Sequence, residues 1–301
     1  MSALVSCGGD DDDIQVDAND QPANGFRIVS PDIVINPGEE ITYCYYFRTP
    51  NTVPMAIHKW KSSMTPGSHH MIMFTTSSDA GTPGTTSADC EGFGTQGGGT
   101  VWTFAASQPE VEVALPTDDG EGKPLAQDIP PNTPAFFQMH YQNASNDPLT
   151  VHVQLDAEAL ESTVAYTKTA AFITYQPTIN IPPGAQDLPV SATCNVPAGA
   201  KFWLMSTHAH QQAVKTEVKD ASATVFSSTD WAHPGEVTFM EPSTYFSFAS
   251  NKITYTCTYT NPTNRTITQG QSARTDEMCM ATGYFFPASR PLFCLGNQGA
   301  F

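Results

Sequence analysis

The sequence predicts an all-β protein made of two stacked β-sandwich domains, and three observations carry that expectation. Short runs rich in Val, Ile, Phe and Tyr recur along the chain, separated by Pro-Gly, Gly-Thr and Asn-Asp turns, which is the pattern of antiparallel sheets and not of βαβ units. Thr, Ser, Pro and Gly are plentiful between those runs, and no stretch has the length and period of an ordinary helix. At 301 residues the chain can bury two cores of ordinary size.

Residues 1–24 are acidic and lack periodicity, so they are expected to form a disordered tether. Within them Leu4-Val5-Ser6-Cys7-Gly8-Gly9 is similar to a bacterial lipobox with its modifiable Cys7, which would make the protein an exported lipoprotein of the cell envelope, or a secreted one. The folded part is expected to begin near Gly25. Candidate strands follow at Phe26–Val29, Ile41–Phe47, Met55–Trp60, His70–Phe74, Val101–Phe104, Ala135–Tyr141 and Leu149–Leu155, with loops at Asp79–Gly99 and Thr117–Asn132. A second series runs through Phe172–Tyr175, Thr178–Ile181, Ala200–Thr207, Ala213–Lys219, Val237–Phe239, Ile253–Thr260 and Ala281–Phe286. The domains are expected at 25–162 and 163–301; no internal repeat is visible in the residues.

The net charge of −17, with no basic patch, opposes a phosphate backbone and so argues against nucleic acid as a partner. No apolar run approaches the roughly 20 residues that span a bilayer, so the expected contact with a membrane is through a lipid on Cys7. The other six cysteines, Cys44, Cys90, Cys194, Cys257, Cys279 and Cys294, form an even set without the close spacing of a zinc site. In an exported β protein such a set means disulfides, although spacing alone cannot choose among 15 pairings.

Chemistry concentrates in the histidines. His208 and His210 sit at i and i+2 of a strand and emerge on one face, a natural chelate for a metal. Gln138 and His140 share a face in the same way, and Gln138 is placed to orient a ligand. His69 and His70 are adjacent, so a regular strand sends them to opposite faces; they can share a metal only if a bulge or strand end re-aims one of them. Met278, a soft thioether, would favour Cu(I), but taken alone it reads as core, and Met280 competes with it. His58, His152 and His233 read as solvated or structural.

Taken together, His69-His70-Met71, Gln138-x-His140-Tyr141, Ile181-Pro182-Pro183-Gly184, Thr207-His208-Ala209-His210 and Asp276-Glu277-Met278-Cys279 resemble, in family order, the copper type II ascorbate-dependent monooxygenases. The resemblance implies two jelly-roll-like antiparallel β-sandwich domains facing each other across an open cleft, each with one copper. It implies His69, His70 and His140 around an electron-transfer copper, and His208, His210 and Met278 around the catalytic copper that activates O2. It further implies the pairs Cys44–Cys90, Cys194–Cys294 and Cys257–Cys279, and ascorbate or another reductant as co-substrate.

Where peptide-hydroxylating members hold a substrate carboxylate with an Arg, an Asn and a Tyr, this chain has Ser206, Met280 and Thr282. Peptide amidation is therefore not expected. A pocket around Met280, Thr282 and Tyr284 would be apolar and suit a small-molecule or peptide-like substrate with an aromatic or aliphatic group. The competing expectation is a copper-binding or copper-storing envelope protein without catalysis. The sequence is silent on oligomeric state.

Overall fold

The computed structural model describes residues 21–90 and 100–297; Cys7 and most of the acidic segment lie outside them. Among the described residues there is no α-helix, and none of the elements is a helix long and apolar enough to cross a membrane. The protein is all-β, a pair of β-sandwiches.

In the first half one sheet orders the strands Gly25–Val29, Val153–Ala159, Met55–Met64, Leu125–Ile129 and Thr167–Lys168, with Glu110–Ala114 paired to Met55–Met64. The facing sheet orders Thr86–Ser87, Glu40–Arg48, Pro134–Gln142, Ser68–Thr75 and Val101–Ala106. Alternation drives one set of side chains, including Trp60, Met71, Met73, Phe137 and Met139, into the core between these sheets. Trp60 keeps its indole satisfied there: Nε1 donates to Gln127 Oε1 at 2.5 Å, and Gln127 Nε2 donates to the Thr103 carbonyl at 2.9 Å.

In the second half one sheet orders Glu236–Thr238, Lys201–Ala209, Cys279–Phe286, Ala170–Tyr175 and Leu292–Leu295, and the other orders Leu188–Asn195, Lys252–Tyr259, Ala213–Asp220 and Ala223–Ser228. Phe172, Phe202, Met205, Tyr255 and Phe285 fill the core between them. Disulfides join Cys44 to Cys90, Cys194 to Cys294 and Cys257 to Cys279, the last two crossing from one sheet to the other. Three disulfides fit an exported protein.

Several expectations need correction. The stretch 117–132 is not all loop, because Leu125–Ile129 forms a strand on Met55–Met64; its Gln127 and Asp128 obscure the alternation. Leu188–Asn195, absent from the expected series, is an edge strand, the position where Pro189 can be tolerated.

The two halves are also a repeat. Apart from Thr86–Ser87, Leu125–Ile129, Thr167–Lys168 and Leu292–Leu295, the sheet order of the second half reproduces that of the first, strand for strand in chain order. Tyr141-Gln142-Asn143-Ala144-Ser145-Asn146 corresponds to Tyr259-Thr260-Asn261-Pro262-Thr263-Asn264, and Ile35-Asn36-Pro37-Gly38 to Ile181-Pro182-Pro183-Gly184. Asn143 Nδ2 donates to the Ile35 carbonyl and Asn261 Nδ2 to the Ile181 carbonyl, both at 3.0 Å. Gly38 N donates to the Asn143 carbonyl at 2.8 Å and Gly184 N to that of Asn261 at 2.9 Å, with both glycines at positive φ. Few side chains are shared, which is why the repeat escapes a reading by residues.

The halves stack through unlike sheets. The outer face of the sheet holding Ser68–Thr75 meets the outer face of the sheet holding Lys201–Ala209, and Trp102 packs into the apolar clusters of both faces.

Candidate metal centre

Pairing on that buried boundary positions the histidines. His70 lies directly opposite His140 in the pairing of Ser68–Thr75 with Pro134–Gln142, so both imidazoles leave the same face. The register then slips, with Tyr141 opposite Ser68, so His69 is the extra residue of a β-bulge. The bulge turns its ring toward the other two: centroids lie 5.0 Å from His70 and 5.2 Å from His140. Donor atoms of His69, His70 and His140 all fall within 4.8 Å of one another.

His208 faces Met280 across the strands Lys201–Ala209 and Cys279–Phe286, and continuing that register sets His210 opposite Met278. Met278 is 2% exposed and packs with Ala171, Ile173, Tyr175 and Met280. Its backbone is held on both sides, the amide by the Glu277 carboxylate at 3.3 Å and the carbonyl by the Tyr259 hydroxyl at 2.7 Å.

The two sets touch. His208 lies 5.3 Å from His70 and 5.7 Å from His69, ring to ring, and donor atoms of His69, His208 and His210 also fall within 4.8 Å of one another. An open cleft between the sets is therefore not what the structure has. The space that remains is a cavity of about 370 Å³ beside them, lined by residues of both halves. Trp102, Phe104, Ile173, Leu204 and Tyr284 make its apolar wall, with Ser206 and Thr282 among them; Met280 is buried in the apolar cluster of the same boundary face and is not part of the lining.

Four imidazole nitrogens, His69 Nε2, His70 Nδ1, His208 Nε2 and His210 Nε2, are buried without a hydrogen-bond partner. Each such atom costs about 1–3 kcal/mol unless something satisfies it, and four of them converge here. Burial, then repulsion from neighbouring imidazoles, lowers His69 to about 3, and burial with the same neighbours takes His210 to about 4; His70 and His208 are pushed well below their ordinary value. The rings are thus neutral at pH 7, with lone pairs free, which is the state a metal binds. A set of neutral imidazoles, with Met278 on the chain segment beside His210, is a donor set that suits copper.

Two carboxylates order this shell. Glu40 Oε1 accepts from His140 Nε2 at 3.0 Å, and although burial alone would raise its pKa, the bonds from His140, Ser272 and Ala273 hold the carboxyl below its usual range. Glu277 is fully buried and accepts the backbone amides of His210 at 3.0 Å and Gln212 at 2.6 Å; burial pushes it up to about 8. Neither role is visible in the sequence, since each depends on register and on contacts between the halves. Gln138, expected to orient a ligand, instead points its amide at Cys90 Sγ, 3.9 Å away, and Glu40 takes that part. His152 pairs with Asp32, and Trp231 packs against His69 with ring centroids 5.6 Å apart and planes tilted by 53°.

The β-sandwich pair thus carries, at the junction of its halves, a buried cluster of neutral imidazoles that could hold a metal ion. Residues 168–299 match the model of the copper type II ascorbate-dependent monooxygenase, C-terminal domain, so this part of the chain is similar to that domain. No curated protein matches the chain. Among solved structures, a chain of Sulfolobus Turreted Icosahedral Virus is 12% identical over 87% of this chain and 60% of its own length, with a TM-score of 0.21. PNGase F, a glycosylasparaginase from Flavobacterium meningosepticum, is 10% identical over 87% and 97%, with a TM-score of 0.34. The PBSX exported protein XepA is 9% identical over 86% of each chain, at 0.21. Likeness this slight bears on neither fold nor activity.

Proposed function

We propose that the protein is a copper-dependent monooxygenase that hydroxylates a C–H bond of a small or peptide-like substrate with O2 and an external one-electron reductant such as ascorbate. The observation that carries this is the convergence of four unpartnered, buried imidazole nitrogens from both halves of a chain whose residues 168–299 are similar to a domain of that family. In this reading His69, His70 and His140 would hold a copper for electron transfer, and His208, His210 and Met278 would hold the catalytic one. Copper bound there supplies one-electron redox chemistry and the reductive activation of dioxygen. Inserting one oxygen atom and releasing the other as water takes two electrons beyond those of the substrate, which matches two one-electron sites fed by ascorbate.

The chain's own residues do the rest. Burial keeps the imidazoles deprotonated, Glu40 and Glu277 hold His140 and His210 in place, and the Cys257–Cys279 bridge fixes the strand that begins beside Met278. Trp102, Phe104 and Tyr284 exclude water from the cavity where the substrate's reacting carbon would lie next to His70 and His208. Among the described residues none of that lining is Lys or Arg, while Glu110, Glu112 and Glu236 contribute to it. A substrate carboxylate is therefore disfavoured, and a neutral or cationic molecule with an aromatic or aliphatic body fits. Residues 25–162 and 163–301 act as the two domains, and lipid on Cys7 tethers them to the cell envelope.

Copper content and ascorbate-driven oxygen uptake, with Met278→Ala alongside, test the proposal. About two coppers per chain, with uptake lost in the variant, supports it; two coppers without oxygen chemistry would favour a copper-storing protein, and no copper would sink both.

A further inference from the structure

The two histidine sets are joined by a run of hydrogen bonds, and among the described residues Glu40 carries that run across the boundary. Glu40 opens the strand Glu40–Arg48, diagonal to His140 on the neighbouring strand, with its side chain 15% exposed and that of His140 4% exposed. One carboxylate receives three donors. His140 Nε2 and the Ala273 amide reach Oε1, each at 3.0 Å, and the Ser272 hydroxyl reaches Oε2 at 3.1 Å. The last two belong to the other half, more than 230 positions along the chain.

From Ser272 and Ala273 the connection runs on to the second set. The Ala273 carbonyl accepts from Gln211 N at 3.3 Å, the Asp276 carbonyl accepts from His210 Nδ1 at 3.2 Å, and Glu277 holds the amides of His210, Gln212 and Met278. The loop has no slack. A Cβ on Gly270 would lie 2.3 Å from Asp276 Oδ2, and that carboxylate in turn accepts from Ser272 N at 3.3 Å.

We infer that Glu40 is a positioning residue with two simultaneous tasks. Facing a carboxylate, His140 must carry its proton on Nε2, which leaves Nδ1 as the free donor pointing away from Glu40. By accepting from Ser272 and Ala273 with the same group, Glu40 docks the 270–277 loop and so sets where His210 and Met278 stand relative to the first set. The ligand-presenting part of this inference rests on the copper proposal; the tautomer and the docking do not.

The test compares Glu40→Ala, Glu40→Gln and Ser272→Ala. In the metal-free parent, imidazole nitrogen NMR is expected to show His140 protonated at Nε2, unchanged in Ser272→Ala and lost or mixed in Glu40→Ala. Amide hydrogen exchange across 270–277 is expected to quicken about tenfold in Glu40→Ala and less in Ser272→Ala, with strand amides of the cores unmoved. With copper, competition against a chromophoric Cu(I) chelator is expected to show one site weakened about 10–100-fold in Glu40→Ala, with Glu40→Gln between it and the parent. A His140 protonated at Nδ1 in the parent, or parent-like exchange across 270–277 in Glu40→Ala, would overturn the inference. So would parent-like copper affinity at both sites in Glu40→Ala. A parent that takes up no copper refutes the copper proposal instead, and the tautomer and exchange measurements still decide the role of Glu40.

Discussion

Acidifying the metal-free protein is expected to destabilise it steeply between pH 6.5 and 4. In the unfolded chain each imidazole takes up its proton near 6.5, whereas in the fold His210 resists until about 4 and His69 until about 3. Both folded values are depressed, so in that window the unfolded state binds more protons and stability falls as pH falls. At pH 5 each of these two groups costs about 2 kcal/mol, because the unfolded imidazole is almost fully protonated and the folded one is not. His70 and His208 act in the same direction. Glu277 works the other way: its folded value is raised to about 8, so acidification relieves its burial and returns about 2.5 kcal/mol between pH 7 and 5. His69 and His210 together outweigh Glu277 by about 1–2 kcal/mol at pH 5, and His70 and His208 push further the same way, against a typical stability of about 5–15 kcal/mol. Urea unfolding followed by tryptophan fluorescence, with a chelator present, reads this directly. The midpoint should drop from pH 7 to pH 5, and His69→Gln should flatten the dependence. A midpoint at pH 5 equal to or above that at pH 7 would refute the reasoning.

Removing the Cys257–Cys279 bridge as a double serine variant frees a loop with a sequence separation of 22 and should cost about 3 kcal/mol, seen as a lower melting temperature. Met278→Ala should abolish ascorbate-driven oxygen uptake, whereas Met280→Ala, equally buried, should lower stability by about 2–5 kcal/mol and keep the uptake; equal loss in both would assign Met278 to the core alone. Gly270→Ala should destabilise the loop by about 1–3 kcal/mol through the clash with Asp276, and normal thermal unfolding would show that the loop yields freely. Glycine-extended peptides should give no calorimetric signal, while uncharged or cationic aromatic molecules should bind; tight peptide binding would overturn the assignment of the cavity.

Much of the fold is legible in the residues because alternation and turn chemistry are local. Strands such as Ile41–Phe47 and Ala135–Tyr141 show as apolar runs of strand length, and Glu40–Arg48 and Pro134–Gln142 contain them, the second buried on both faces. Leu188–Asn195 hides behind Pro189, which only an edge position excuses, and Leu125–Ile129 hides because Gln127 turns inward to serve Trp60. At the centre, the i, i+2 spacing of His208 and His210 is a strand property and can be read. The placement of His69 turns on one bulge, and the bulge is a property of pairing, which only the register reveals. Glu40 and the meeting of both histidine sets lie beyond any reading by spacing, since they are made by surfaces that come together only after each half has folded.

The repeat has an evolutionary consequence. The histidine strand Ser68–Thr75 corresponds to Ala213–Asp220 in the second half, and Lys201–Ala209 corresponds to Met55–Met64 in the first. Neither counterpart carries the matching histidines. A duplicated ancestor would thus have supplied the scaffold twice but the ligands once each, on unlike faces that a head-to-tail stacking brings together. The two sets do not occupy corresponding positions of the repeat, so the symmetry of the fold does not tie the ligand chemistry of one to that of the other.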